Sequence, residues 1–172
     1  LAVTIDHPTS TTPGLARGNQ PLGPVAVFGA SNFPFAFGVL GNDFGSACAA
    51  GCAVVAKSHP AHPLLSDRLA RLARTALIDA GAPDCSLEMV VGYDAGVALA
   101  KDERIAALAL TGSQAAGLAL WRIANQRRTV IPTYAEMSTV NPVVITRAAA
   151  AARMEEIAEG FVGSFTLGSG QF

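Results

Sequence analysis

The sequence predicts a doubly wound α/β domain built on a parallel sheet, and three observations predict it. Short apolar runs alternate with longer segments of helical spacing from Val25 onward, the signature of repeated β-α-β units. Several of these runs end in polar or glycine-rich turns, at Ser31, Lys57, Gly92 and Thr111, where such a sheet carries its ligand-binding loops. Hydrophobic residues make up 51% of the 172 and charged residues 15%, enough apolar surface for one well-filled domain with some left over to face another domain or subunit.

Residues 1–24 are rich in Thr, Pro and Gly without sustained periodicity and read as a linker or arm; residues 25–172 form the α/β domain. The run PVAVFGA, ending at Ala30, is the first strand of that domain, and CAVVAK, ending at Lys57, is the second. Between them, Phe35 to Ala50 is rich in Ala, Gly and Phe and long enough for a buried crossover helix. From Leu64 to Ala80, Leu65, Leu69, Leu72, Ala73, Ala76 and Leu77 recur at three-and-four spacing opposite Asp67, Arg68, Arg71 and Arg74. This is an amphipathic helix closed by Gly81. A strand at Leu87 to Val91, a short helix from Ala95 to Lys101 and a strand at Ile105 to Leu110 follow. The turn Thr111-Gly112-Ser113 opens a helix over Gln114 to Asn125. Thr129 to Ala135 and Pro142 to Ile145 read as strands and Ala148 to Gly160 as a last helix, with no internal repeat.

The formal net charge is −1, and the basic residues are scattered apart from Arg68, Arg71 and Arg74 on one helix face and the pair Arg127 and Arg128, so nucleic acid is not an expected partner. No apolar run reaches the roughly 18 uncharged residues of a membrane span, and LAVTIDHPTS has neither a basic start nor an apolar core. A cytoplasmic location without membrane contact is the expectation. Cys48, Cys52 and Cys85 are odd in number and fit reduced thiols buried as small hydrophobes. His59 and His62 in SHPAHP sit among prolines with only Asp67 nearby, so no metal site is expected.

Ligands of open parallel sheets bind beyond the carboxyl ends of the strands. Lys57, an ammonium at the end of an apolar strand, suits a ribose hydroxyl or a phosphate, and equally reads as a lysine snorkelling out of the strand end. TGSQAAG places Gly112 and Gly117 around a helix start whose free amides could face a phosphate, or forms an ordinary tight strand-to-helix turn. It is not a P-loop, since Leu118 and Ala119 stand where that motif needs Lys and Ser or Thr, and no GxGxxG follows the first strand. Glu136, just past an apolar strand and beside Met137, is a candidate general base through partial desolvation, or a carboxylate capping a turn. Asn32, in GASNFP, could donate to a developing oxyanion, or merely tolerate an awkward turn.

GPVAVFGASNFPFAF, VVAKSHPAHP, LALTGSQAAG, YAEMSTVNPVV and GSFTLGSGQF, in that order, resemble the aldehyde dehydrogenase superfamily from about Arg17 to Phe172. The wordings SHPAHP, YAEMSTVNP and TLGSGQF are similar to the 2,5-dioxopentanoate (α-ketoglutarate semialdehyde) dehydrogenases and the NADP-dependent fatty aldehyde dehydrogenases. The resemblance implies a Rossmann-like NAD(P)-binding domain and, in an intact parent, oxidation of a small-molecule aldehyde to an acid, with 2,5-dioxopentanoate the expected substrate and a homo-oligomer the expected assembly. It implies that Asn32 supplies an oxyanion-hole amide and Glu136 the base for deacylation. It puts Lys57 on the adenosine ribose or its 2′-phosphate, Gly92 and Gly96 on the adenine side and Gly112 and Ser113 at the pyrophosphate. Phe28, Gly29, Ala30 and Ser31 then line the way to the nicotinamide. The family often carries Glu three residues after this lysine; Pro60 stands there instead, which removes a charge that repels a 2′-phosphate and tilts the expectation toward NADP over NAD. The subgroup's nucleophilic cysteine follows GQF, so the chain is expected to be a fragment ending at Phe172, one residue short of it. The alternative is a stand-alone nucleotide-binding or interaction module without catalysis.

Overall fold

A computed structural model describes residues 3–6, 15–18, 20–138, 140 and 142–170, with backbone only at 3–6, 15–18 and 169. The chain divides after Ser138 into two units. In the first, β1 (Val3–Asp6) and β2 (Leu15–Gly18) form an antiparallel pair with Val3 opposite Gly18. The arm therefore carries a ladder that its sequence, lacking periodicity, did not announce.

Then β3 (Val25–Phe28), α1 (Asn42–Ala49), β4 (Val54–Lys57), α2 (Pro63–Asp79), β5 (Leu87–Val90), α3 (Tyr93–Lys101), β6 (Ala107–Gly112), α4 (Gln114–Gln126) and β7 (Thr133–Met137) alternate. The five strands β3 to β7 form one parallel sheet in the order β5-β4-β3-β6-β7. Side chains alternate across a strand, so each sheet face builds its own core. Val25, Val27, Val54, Ala56, Leu87, Ala107 and Ala109 face one way, against Phe44, Ala47, Leu69, Ala73 and Leu77 of α1 and α2. Ala26, Phe28, Leu108 and Leu110 face the other, against Leu99 and Ala100 of α3 and Leu120 and Ala124 of α4. All four residues of β3 are buried, as a central strand covered on both faces requires. Burying one such Val or Leu side chain stabilises the fold by about 1.5–3 kcal/mol.

At the amino ends of the strands, Arg127 just past α4 is 9% exposed. Its guanidinium donates to the carbonyls of Ala100 at 3.3 Å and Ile105 at 2.9 Å, which offsets the cost of burying a charge. The basic pair Arg127 and Arg128 is thus a buried clamp beside an exposed arginine. Arg74 of α2 reaches Asp84 and Glu88 at 3.2 and 2.9 Å.

Several expectations shift. The crossover helix spans Asn42–Ala49 and does not begin at Phe35, because Gly38 and Gly41 fold 36–41 into turns: a Cβ on Gly38 would strike the Pro34 carbonyl, and one on Gly41 that of Ala36. No strand forms over Pro142 to Ile145; Val143, Val144 and Ile145 are exposed, and a β-branched run without a pairing partner does not make a strand. Cys52 is buried and Cys48 half-buried, but Cys85 is exposed, in the short turn before β5; all three are free thiols.

The second unit holds α5 (Arg147–Thr166), longer than expected, opened by Thr146, whose hydroxyl accepts from the Ala149 amide at 3.2 Å, and broken at Arg153 (φ −153°). Thr139, Asn141, Gln171 and Phe172 of the motifs above lie outside the described residues. No helix among the described residues is long and apolar enough to cross a membrane.

Candidate functional site

The chain steps outward from β3 to β4 to β5, then returns to the other side of β3 for β6 and β7, so the strand order reverses between β3 and β6. That reversal opens a crevice beyond the strand carboxyl ends, where a dinucleotide is held in sheets of this kind. The loop after β3 carries Gly29, Ala30, Ser31 and Asn32; β6 runs on through Thr111 to Gly112, beyond the expected strand end, and Ser113 follows it as the N-cap of α4.

On one side of the crevice, Lys57 ends β4 and its stem lies on α3. A Cβ on Gly96 would sit 3.3 Å from both Cγ and Cε of Lys57 and 3.4 Å from Phe28 Cε1. Lys57, Gly96 and Phe28 are therefore one contact, and a Cβ at Gly96 would press the lysine stem away by a few tenths of an ångström. Partial burial holds the ammonium below the ordinary lysine range, and among the described residues no ion pair offsets that burial. An anionic or hydroxyl-bearing ligand would. Gly92 precedes α3 at φ 102°, a left-handed conformation that disfavours any side chain. Pro60 is exposed in the turn before α2. Burial, followed by the nearby Lys57 and His62 charges, holds the His59 imidazole below its ordinary value.

On the β6 side, Ser113 caps α4, its hydroxyl accepting from the Ala116 amide at 3.3 Å, and no acidic residue stands in the first turn. The remaining free amides of that turn would meet a ligand without a competing carboxylate. Gly117 is buried where a side chain would run into Met137 and Leu110, so α4 sits directly on β6 and β7. A small, backbone-lined cradle beside a desolvated lysine fits a dinucleotide.

The reaction side is more open. Asn32 is exposed in the bend after β3, while Phe28 at the end of that strand and Ala30 in the loop after it are buried, at 7% and 5% exposure. Glu136 lies within β7, not past it, paired with Thr111 across the ladder; it is exposed, so the partial burial expected beside Met137 is not met. Two contacts are not among the expectations from the sequence, which do not single out Asp43 and weigh His62 only as a metal ligand. Asp43, in the first turn of α1, accepts from the Thr111 hydroxyl at 3.2 Å. Burial raises its carboxyl above the ordinary range; the Thr111 bond opposes this and the charge of Glu136 adds to it. His62 bridges the Ala30 carbonyl and Ser66. An acid in a helix's first turn and a histidine five residues after Lys57 were the only signals. Among the described residues no group of three or more His, Cys, Asp or Glu is placed to hold a metal ion.

Comparison with known proteins agrees with this geometry. The model of the aldehyde dehydrogenase family matches residues 8–172. Alpha-ketoglutaric semialdehyde dehydrogenase 2 of Azospirillum brasilense is 51% identical over 153 residues, and the alpha-ketoglutaric semialdehyde dehydrogenase of Acinetobacter baylyi 44% over 151, in each case 88% of this chain and 29% of the relative. The chain thus spans under a third of the length of these relatives. Among solved structures, a Mycobacterium tuberculosis aldehyde dehydrogenase complexed with NAD+ superposes with a TM-score of 0.68 at 25% identity, covering 98% of this chain and 33% of that one. A 3,6-anhydro-L-galactose dehydrogenase in complex with NADP gives 0.75 at 25% identity, covering 99% and 34%. The sheet order, the glycine cradle beside Lys57 and the family match over nearly the whole length lead to one conclusion: the chain belongs to the aldehyde dehydrogenase family.

Proposed function

We propose that this chain is the NAD(P)-binding part of an enzyme that oxidises an aldehyde to a carboxylate, with 2,5-dioxopentanoate as the substrate and NADP accepted at least as well as NAD. The observation that carries the reading is the contact of desolvated Lys57 with Gly96 at the edge of a crevice that Ser113 and α4 close from the other side. Bound nicotinamide supplies the hydride acceptor. Lys57 holds the adenosine ribose or its 2′-phosphate, Gly92 and Gly96 admit the adenine side, and Gly112 and Ser113 meet the pyrophosphate. Pro60 offers no carboxylate to repel a 2′-phosphate.

On the reacting side, the Asn32 amide donates to the oxygen of the aldehyde carbon as charge builds there, and Glu136 takes a proton from the water that releases the acid. Phe28, Gly29, Ala30 and Ser31 form the floor between the two. Cys52 precedes β4 and Cys85 precedes β5, at the amino ends of the strands, and Cys48 lies near the end of α1, so none of the three is the nucleophile.

The names of the relatives, both alpha-ketoglutaric semialdehyde dehydrogenases, support the choice of aldehyde. The test is an assay of the full-length protein for NADP reduction with 2,5-dioxopentanoate against a long-chain aldehyde. Turnover favouring the dioxo acid is expected; turnover of neither overturns the reading. Titrations of NADP and NAD at equal salt are expected to give an NADP Kd no weaker than that of NAD, and a much weaker one removes the cofactor assignment.

A further inference from the structure

His62 stands at the N-cap of α2, yet its side chain makes no capping bond to that helix. Its two nitrogens are used elsewhere. Nε2 lies 3.1 Å from the carbonyl oxygen of Ala30, which is 32 positions earlier in the chain, and Nδ1 lies 3.1 Å from the Ser66 hydroxyl. A carbonyl only accepts, so Nε2 carries a proton and donates to it, while Nδ1 meets the Ser66 hydroxyl. Ser66 is 1% exposed, so it holds the ring from inside the domain.

The carbonyl that His62 engages belongs to the peptide linking Ala30 to Ser31, one peptide before the Ser31–Asn32 bond. The residues around it are already tied: the Gly29 amide donates to Lys57 O at 3.2 Å and the Ala30 amide to Phe37 O at 2.7 Å. Ala30 is thus held through both its amide and its carbonyl, two residues before Asn32, and without the imidazole the carbonyl side of that turn loses this tie. His62 also follows Lys57 by five residues on the same connection, so one short segment reaches both sides of the crevice.

We infer that His62 is a positioning residue: through Ser66 and the Ala30 carbonyl it sets the plane of the turn that presents Asn32. This rests on the aldehyde-oxidising function proposed above. The test uses the full-length protein with His62→Ala, His62→Gln and Ser66→Ala. Hydrogen exchange read by mass spectrometry over residues 29–37 is expected to quicken in His62→Ala, less so in Ser66→Ala, and to stay near wild type in His62→Gln, whose amide can donate to the same carbonyl. At saturating cofactor, kcat is expected to fall about tenfold in His62→Ala, the scale of one lost hydrogen bond, and to be largely restored in His62→Gln, with the cofactor Kd unchanged in both.

Unchanged exchange over 29–37 in His62→Ala overturns the inference, as does a kcat loss matched by an equal weakening of the cofactor, which a general loosening of the domain would give. If His62→Ala fails to fold, Ser66→Ala decides by the same exchange measurement, quickened exchange in its favour and unchanged exchange against it. A wild-type protein that oxidises no aldehyde refutes the proposed activity, and the exchange measurement then decides the role of His62 alone.

Discussion

The two sides of the crevice are built differently. Around Lys57 the groups that would meet the adenosine half are fixed by close contacts: a buried glycine under the lysine stem, a buried phenylalanine beneath it, and a strand end held by neighbours on both sides. Around Asn32 and Glu136 the polar groups are exposed, one on a bend and one on the outermost described strand, linked to the interior through Thr111, Asp43 and His62. Under the function proposed above, recognition of the constant part of the ligand would rest on backbone shape, which tolerates little change. The groups proposed to act on the variable part stand on loops and edges, where small second partners set their aim.

If that contrast is right, substitutions on the two sides should separate kcat from cofactor affinity. The largest effect is expected at Asn32: in the full-length protein Asn32→Ala should lower kcat by two to three orders of magnitude, the equivalent of ~3 to 4 kcal/mol of lost oxyanion stabilisation, with the cofactor Kd unchanged. A near-normal kcat would remove Asn32 from the reacting side. On the opposite side, Gly96→Val forces branched carbon atoms into a space where the first one already lies 3.3 Å from Lys57. Its NADP Kd, measured by fluorescence titration, should weaken about tenfold or more, on the scale of overpacking by 1–3 kcal/mol, while kcat at saturating cofactor stays close to wild type. An equal loss of kcat would show that the two sides are not independent.

The smallest effect belongs to Asp43. Its folded-state pKa is raised above the ordinary 3.8, so the contribution of this group to stability is present below that pH and is lost as pH rises through the folded value. At pH 7 the carboxylate therefore costs stability. Asp43→Asn keeps an oxygen to accept from Thr111 and should raise the melting temperature at pH 7 by no more than a few degrees, with the gain gone below pH ~4. A melting temperature that falls at pH 7 would show that the charge itself is needed there.

Much of this architecture was legible because its elements obey one period each. The α2 helix packs through Leu69, Ala73 and Leu77 as its spacing places them, although Leu72 and Ala76 of the same stripe are exposed; the buried run Val25–Phe28 stands where expected, and Lys57 falls at the end of its strand. The misses share a cause, which is that the deciding contact lies far away in sequence. Pro142 to Ile145 has the composition of a strand and no partner; Phe35 to Gly41 has that of a helix, but its glycines fold back on Pro34 and Ala36. Glu136 was placed beyond its strand because no local signal shows that β7 runs on to Met137 opposite Gly112. The candidate site residues were picked out by the order of their motifs, whereas the contacts of Asp43 and His62, to partners 68 and 32 positions away, follow from no local pattern.

The buried guanidinium of Arg127 gives the sheet a mechanical polarity. It fastens the end of α4 to the end of α3 and to the lead-in of β6, and the Ala106 amide adds a bond to Pro24 on the same side. The amino ends of the strands are thus the anchored end of a set of cantilevers, and the carboxyl ends are the tips. Strain introduced by a ligand at the tips would meet loop 29–41 and the turn after β6 before it could reach the anchor.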